Sequence, residues 1–318
     1  MTTETTSFDV VLLGEPLVEI STTAPFAHDT PSVLGVSGDV VNAGAAAAAA
    51  GATVALIARV SDDELGDAVC ARIRALGIDD TYVRRVPGQQ GAYFLHIDPR
   101  GERQFSYARA GSVGSQLDVA DVPVDIVKSA GAVLGSGITA ALSESARRAV
   151  VFAAHNATHF VYDPNFRPRL TTVEESRALL QEIAPFCAVV VPSAPGEIDA
   201  ILGIAEPLAA AERIREWGAD SVAVTRGSEG ITVVSADGVH EQRAIPAPAV
   251  VDQTGAGDVF AGTLTARLAL GDTVRDAVAL AASAASLSVG GRGGTGLITG
   301  LDEVRAHGDQ AHQDRAAE

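Results

Sequence analysis

The sequence predicts an α/β fold: a three-layer, doubly wound, mostly parallel sheet with helices on both faces and a small β-sheet lid. Three observations predict it. From Ala132 to Thr225, short apolar runs alternate regularly with helical segments, the pattern of strands joined by crossover helices. Phe8 to Leu13 is an unbroken apolar run ending at Gly14, as expected of a strand covered on both faces. By contrast, Ala92 to Asp98 and Arg103 to Arg109 alternate apolar and polar residues around Pro99-Arg100-Gly101-Glu102. That alternation predicts a hairpin with one wet face, hence a layer outside the main sheet.

Taken in order, Glu15 follows the first strand and lies at its carboxyl end, where α/β sheets place ligands. Residues 16 to 36 carry Pro, Thr and short apolar patches and predict small strands that join the hairpin in a lid, with lid segments at about 16–36 and 90–111. Ser37-Gly38-Asp39 opens a helix that runs through the alanines at 43 to 50 and stops at Gly51; alanine's small side chain suits a helix packed closely on its neighbours. Thr53 to Arg59 is the next strand and Asp62 to Leu76 the next helix, with an acidic first turn and Gly77 as its stop. Strands follow at 132–134, 159–162, 188–191 and 221–225, with helices at 143–155, 173–183 and 207–217 between them. Ile231 to Ser235 and Val239 to Arg243 predict a short hairpin, and alanine-rich helices are expected at about 257–270 and 273–289. One domain spans 1–306. The polar tail, 307–318, is expected to be frayed.

Composition narrows the partners. With 47% hydrophobic residues over 318 positions the chain can bury a large core. A formal net charge of -17 argues against nucleic acid or an anionic membrane, both of which attract basic surfaces. Lys128 is the sole lysine, so an anion must be bound by arginine, backbone N–H groups or metal, and nucleotide sites built on a motif lysine are excluded. Cys70 and Cys187 have no Cys or His at ligand spacing and read as buried thiols of a reducing compartment. The polar start, Met1 to Ser7, lacks the apolar core of a signal peptide, and no apolar run is long enough for a membrane helix; a cytoplasmic protein is expected.

The chemistry centres on Val250 to Gly262. An apolar strand ends there, Gly255-Ala256-Gly257 exposes backbone N–H groups, and a helix opens with Asp258. Small residues let an anion approach the main chain, and the helix dipole favours negative charge. A carboxylate placed beside a phosphate site suits phosphoryl transfer, with Asp258 taking the proton of the attacking hydroxyl. A capped strand-to-helix turn is the plainer alternative for so short a motif. Asp163-Pro164-Asn165-Phe166-Arg167 puts polar groups at the carboxyl end of another strand, where an ordinary turn is the competing explanation. Arg109 closes the second lid strand; Tyr93 and Tyr107 stand on the two lid strands and could offer hydroxyls to a polar substrate or face the core. Thr225-Arg226-Gly227-Ser228-Glu229-Gly230 offers a second glycine turn for nucleotide phosphates, and Gly291 to Gly296 reads as a flexible loop that could border them. No histidine pair at metal spacing and no nucleophile elbow are present.

With these residues in view, the chain resembles the ribokinase-like (PfkB) carbohydrate kinases from about Phe8 to Val304. Ser37-Gly38 to Gly51 is similar to that family's N-terminal glycine signature, and Asp252 to Asp258 to its C-terminal one. The resemblance implies ATP and Mg²⁺ as cosubstrates, an anion hole at Gly255, Ala256 and Gly257, and Asp258 as the base. It also implies a nucleotide turn at Thr225 and Gly227, with Gly230 closing it. Gly14 to Val18, Tyr107 to Ser112, Gly137 to Ser143 and Asp163 to Arg167 resemble the 2-keto-3-deoxygluconate kinases, which would assign Gly38, Tyr93, Tyr107, Arg109, Asn165 and Arg167 to a sugar acid. Arginines suit that role, since a guanidinium pairs with a carboxylate bidentately. Fructokinases share the Asp-Pro-Asn-x-Arg run and are the alternative; a silent sugar-binding homologue is a further one. Two departures stand out: Ala194 replaces the Asn of the family's Asn-x-x-Glu motif, leaving Glu197 to help with metal, and Ser37 replaces a glycine. A homo-oligomer, dimer or higher, is expected through the exposed lid edge.

Overall fold

Val10–Leu13 (β1) shows how the sequence sets the layers. Its side chains point alternately to opposite faces. Val11 and Leu13 enter one buried cluster; Val10 and Leu12 enter another on the other side of the sheet. The computed structural model describes residues 7–98 and 103–316; the expected lid turn at 99–102 and the N-terminal residues 1–6 lie outside them.

Strands Leu17–Thr22 (β2) and Val33–Ser37 (β3) follow β1, then helix Asp39–Ala49 (α1), strand Val54–Ser61 (β4) and helix Glu64–Ala75 (α2). Ile78–Asp79 (β5) and Val83–Val86 (β6) are short; Ala92–Ile97 (β7) and Arg103–Ala108 (β8) are the two arms of the expected hairpin. Helix Val124–Ser129 (α3) leads into the alternating half: Ala132–Ser136 (β9), Gly137–Ala140 (α4), Glu144–Asn156 (α5), Phe160–Asp163 (β10), Val173–Ile183 (α6) and Cys187–Val190 (β11). Gly196–Leu202 (α7), Pro207–Glu216 (α8), Val222–Thr225 (β12), Ile231–Ser235 (β13) and Gly238–Gln242 (β14) come next, and Ala256–Ala269 (α9), Val274–Ser288 (α10) and Leu301–Ala316 (α11) close the chain.

Among the described residues the main sheet has ten strands, ordered β14-β13-β12-β11-β10-β9-β1-β4-β5, with β6 paired to the far end of β4. Pairings from β12 through β4 are parallel; β13 and β14 add an antiparallel edge. The order reverses at β1, flanked by β9 and β4, so a crevice forms at the carboxyl ends of the parallel strands. A separate four-stranded sheet, β3-β2-β7-β8, is the expected lid.

The alanine run of α1 earns its composition in its contact with α9. A side chain at Gly262 of α9 would collide with the Ala43 carbonyl, its Cβ only 2.0 Å away, so two helices of tiny residues press backbone to backbone. This approach carries the N-terminal ends of both helices to one point on the sheet edge.

Three expectations fail. No strand leads into the Gly255 turn among the described residues: Val250 and Val251 are exposed in the loop between β14 and α9. The tail is not frayed at His307: α11 is helical through Ala316, with Val304 buried, Gly308 fitted against Ser283, Ala311 on the core and His307 Nε2 within 3.0 Å of Ser286 Oγ. Its contact face is built of small residues, so it shows little apolar stripe in sequence. The glycine loop at 291–296 is pinned rather than flexible: Gly293 N–H donates to Asp252 Oδ2 (2.8 Å), and Gly294 packs so tightly on Asn42 that a Cβ would clash at 2.2 Å.

Candidate active site

Strand ends of β1, β9, β10, β11 and β12 deliver Glu15, Ser136, Asp163, Ser193 and Thr225 to one edge of the main sheet, and the lid stands over them. Between lid and edge runs a cleft of about 1320 Å³, large enough for two small substrates. Gly38, Tyr93, Tyr107, Arg109, Asn165, Arg167, Glu197, Thr225, Gly255, Gly257 and Asp258 all line it, so residues from six parts of the chain converge on one space.

Asp258 stands in the first turn of α9. Its Oδ2 accepts a hydrogen bond from Asn42 Nδ2 of α1 (2.8 Å), and its Oδ1 accepts a longer one from Asn165 Nδ2 (3.5 Å). Burial, with the neighbouring Asp39 charge second, pushes the Asp258 carboxyl up to about 7; Asn42, Arg167 and Asn165 pull the other way. A base with that value is poised near neutral pH, where proton abstraction is most effective. Asp39 is held by Ser136 Oγ (2.5 Å).

The glycine turn before α9 is framed by Asp252. Its Oδ1 accepts from Thr254 N–H (2.9 Å) and its Oδ2 from Gly293 N–H (2.8 Å). Gly255 then adopts a left-handed conformation (φ 79°), and a Cβ there would strike Gly294 at 2.6 Å, so both conformation and space require glycine. The first N–H groups of α9 have no intrahelical acceptor and point toward the cleft end of the helix, the arrangement that binds anions. Gly255 and Gly257 line the cleft; Ala256, the first residue of α9, is not among the lining residues. Arg103, at the start of β8, reaches across from the lid: Nη2 pairs with Asp252 Oδ1 (2.5 Å) and Nη1 donates to Thr254 Oγ1 (2.6 Å).

The two expected substrate arginines differ. Arg109 is buried and spends its charge on Glu15, donating from Nη2 (2.6 Å) and Nε (2.8 Å) to Oε2, while Ser112 donates to Oε1. Its guanidinium also lies 6.0 Å from the Tyr107 ring. Arg167 is exposed to the cleft, donates to the Phe166 carbonyl (3.1 Å) and makes no close ion pair among the described residues. Tyr93 is buried and its hydroxyl donates to Glu19; burial, then the Glu19 charge, pushes its pKa up. Tyr107 is half exposed and stacks on Phe105 (6.1 Å between centroids). Gly38 has φ 128° and lies close over the Glu15 carbonyl, leaving no room for a Cβ.

Glu197, on α7, accepts from Phe166 N–H (2.5 Å) and Ser193 N–H (2.7 Å), stapling the loops after β10 and β11 together. Burial raises its pKa against those amide bonds. Asp163 nearby is also held above the carboxylate range, by burial first and then by Glu197 and Asp258. No group of three metal-ligating side chains occurs among the described residues. Thr225 lines the cleft; Gly227 and Gly230, both with positive φ, shape the turn behind it, where Arg226 N–H donates to the Gly230 carbonyl (2.8 Å).

Sequence reasoning had not singled out Asn42, Asp39 or Arg103. Asn42 carried a signal, a lone amide in a helix otherwise built of small apolar residues. Arg103 carried none, since its partner lies about 150 residues away.

Comparison with known proteins gives this geometry a family. Residues 29–299 match the pfkB family carbohydrate kinase pattern. The chain belongs to the pfkB family of carbohydrate kinases. It is 36% identical over 290 residues to a 2-dehydro-3-deoxygluconokinase of Thermoproteus tenax, covering 89% of each chain, and 30% identical over 307 residues to a 2-dehydro-3-deoxygalactonokinase of Haloferax volcanii, covering 93% of this chain and 95% of that one. A structure described as ribokinase II of E. coli in complex with ATP and Mg²⁺ superposes with a TM-score of 0.84 at 25% identity, over 96% of this chain and all of that one. The protein is therefore a sugar kinase that transfers phosphate to a hydroxyl, with the ribokinase-like fold. No helix among the described residues is long and apolar enough to cross a membrane.

Proposed function

We propose that this kinase uses ATP to phosphorylate a sugar acid, 2-keto-3-deoxygluconate, at its 6-hydroxyl. The observation that carries the sugar-acid reading is Arg167: a guanidinium open to the cleft that makes no close ion pair among the described residues, although its charge acts on Asp163, Glu197 and Asp258, in a protein of net charge -17. Arg109, already paired with Glu15, offers hydrogen bonds rather than net charge. Its similarity to the Thermoproteus tenax kinase favours the same substrate.

In the reaction Asp258 removes the proton from the sugar hydroxyl as its oxygen attacks the γ-phosphorus; the bond to the β,γ-bridging oxygen breaks and ADP leaves with that electron pair. The N–H groups of Gly255, Ala256 and Gly257 stabilise charge on the transferring group. Asn42 and Asn165 hold the Asp258 carboxylate in line. Gly38, Tyr93, Tyr107 and Asn165 shape the sugar subsite, and the Thr225–Gly230 turn takes the nucleotide. Mg²⁺ suits this site because it is commonly held by one or two carboxylates together with phosphates and water, and Glu197 Oε1 keeps a lone pair beyond its amide bond, while Oε2 also accepts from Ser193 Oγ (3.3 Å). Bound there, it would neutralise phosphate charge. A homodimer is proposed through the lid edge, where β3 exposes Val33 (69%) and Leu34 (57%).

The test is a comparison of sugars. Arg167→Ala should lower kcat/KM for 2-keto-3-deoxygluconate roughly 10²-fold or more, the usual loss of a charged hydrogen-bonding pair, and leave fructose little changed. Equal losses on acidic and neutral sugars would refute the carboxylate role and favour a fructokinase.

A further inference from the structure

We propose that Arg103 is a positioning residue that couples closure of the lid to the shape of the anion-binding turn. The inference rests on the kinase reading of that turn. Asp252 is almost fully buried, and its two oxygens organise the turn by accepting the N–H groups of Thr254 and Gly293. Those bonds fix Thr254, just before Gly255, and the 291–296 loop, whose Gly294 packs against Gly255 at the open end of α9. A buried carboxylate needs a counter-charge, and removing it from a buried pair is costly. The counter-charge comes from the lid. Arg103 grips both the Asp252 carboxylate and the Thr254 hydroxyl, in a two-point contact that fixes direction as well as distance.

The placement separates this role from substrate binding. Arg103 begins β8, an edge strand of the lid sheet, and its side chain stays 28% exposed on the cleft wall, so the contact can be broken and remade as the lid moves. The turn that leads into α9 supplies Asp252 and Thr254; the lid supplies the cation. An open lid would leave Asp252 without its cation and the turn less firmly held. Closure would complete the frame as the water leaves, so that the anion hole is set only when the substrates are enclosed.

Three variants of the full chain test this: Arg103→Ala, Arg103→Lys and Asp252→Asn, with the first and last also combined. Arg103→Ala should lower kcat roughly 10- to 100-fold while the sugar KM stays within about threefold, since what is lost is alignment in the transition state. Arg103→Lys should recover part of the loss, because a point charge replaces half of the two-point grip. In the Asp252→Asn background Arg103→Ala should cost less than about threefold. An undiminished cost there would mean that Arg103 meets a phosphate directly and would overturn the proposal, as would an Arg103→Ala kcat near that of the parent. Hydrogen exchange on the protein closed over the sugar and a non-hydrolysable ATP analogue gives a reading independent of turnover. Amides of Thr254 and Gly293 should exchange at least several-fold faster in Arg103→Ala, with the core of the main sheet unchanged. Unaltered protection at both would sink the proposal even if Asp252→Asn fails to fold, while absent turnover in the parent chain would instead count against the kinase reading.

Discussion

Asn42 donates a 2.8 Å hydrogen bond to Asp258 across 216 residues of sequence, so the proposed base is held by the helix that follows the first lid strands. The bond favours the ionised carboxylate and fixes its direction. Replacing Asn42 by Ala should therefore do two things: lower kcat about tenfold, and move the acidic limb of the pH–rate profile to higher pH. Asn42→Asp should move it further, by adding a negative charge beside the base. A pH series of kcat/KM for the three proteins checks this.

Asp258 itself links activity and stability with opposite signs. As a base it must be ionised, so kcat/KM should fall below about pH 7, near tenfold per pH unit, and Asp258→Asn should lose roughly 10²–10⁴-fold in turnover with ATP binding intact. In folding, a carboxyl held up to about 7 against an ordinary 3.8 favours the protonated form. Its stabilising contribution is full below pH 3.8 and is lost as pH rises toward 7. The Asn variant should accordingly melt several degrees higher than the parent at pH 8, and the two should converge near pH 4. Melting curves at the two pH values decide it.

The Glu15–Arg109 pair predicts a different outcome. Both groups are buried, so Glu15→Gln leaves an uncompensated guanidinium and should cost about 3–5 kcal/mol of stability. Denaturant unfolding would measure it. Arg109→Met, which removes the charge and keeps volume, should cost comparably because Glu15 is then stranded, whereas removing both charges together should cost less than either alone.

Glu197→Gln keeps one acceptor oxygen where two amides now bond. The 164–167 loop should loosen, raising the sugar KM several-fold, and the Mg²⁺ concentration for half-maximal rate should rise with it. Titrating both in one coupled assay separates the two effects.

The parallel sheet was readable because apolar runs and crossover helices are local patterns, and the glycine turn because conformation and close approach there admit only glycine; the strand order, set by contacts far apart in sequence, was not. The partners of charged groups were not. Nothing near Arg109 in the sequence indicates that Glu15 will neutralise it, and the same residue pattern suits a guanidinium open to substrate. Tyr93 was similarly ambiguous until pairing of β2 with β7 set Glu19 opposite it. The last helix was unreadable for another reason: Gly308 and Ala311 bury little apolar surface of their own, and only the groove of α10 makes them an interior face.

The contact of α1 with α9 also orders events during synthesis. The lid, Arg109, Arg167 and the Thr225–Gly230 turn all precede residue 231, yet Asp258 and the Gly255 turn, the proposed base and anion hole, arrive only with the last fifth of the chain. A chain that ends before α9 lacks Asp258 and the Gly255 turn, so on the proposed mechanism it has no means to activate a hydroxyl, and phosphoryl transfer waits for the packing of α9 on α1.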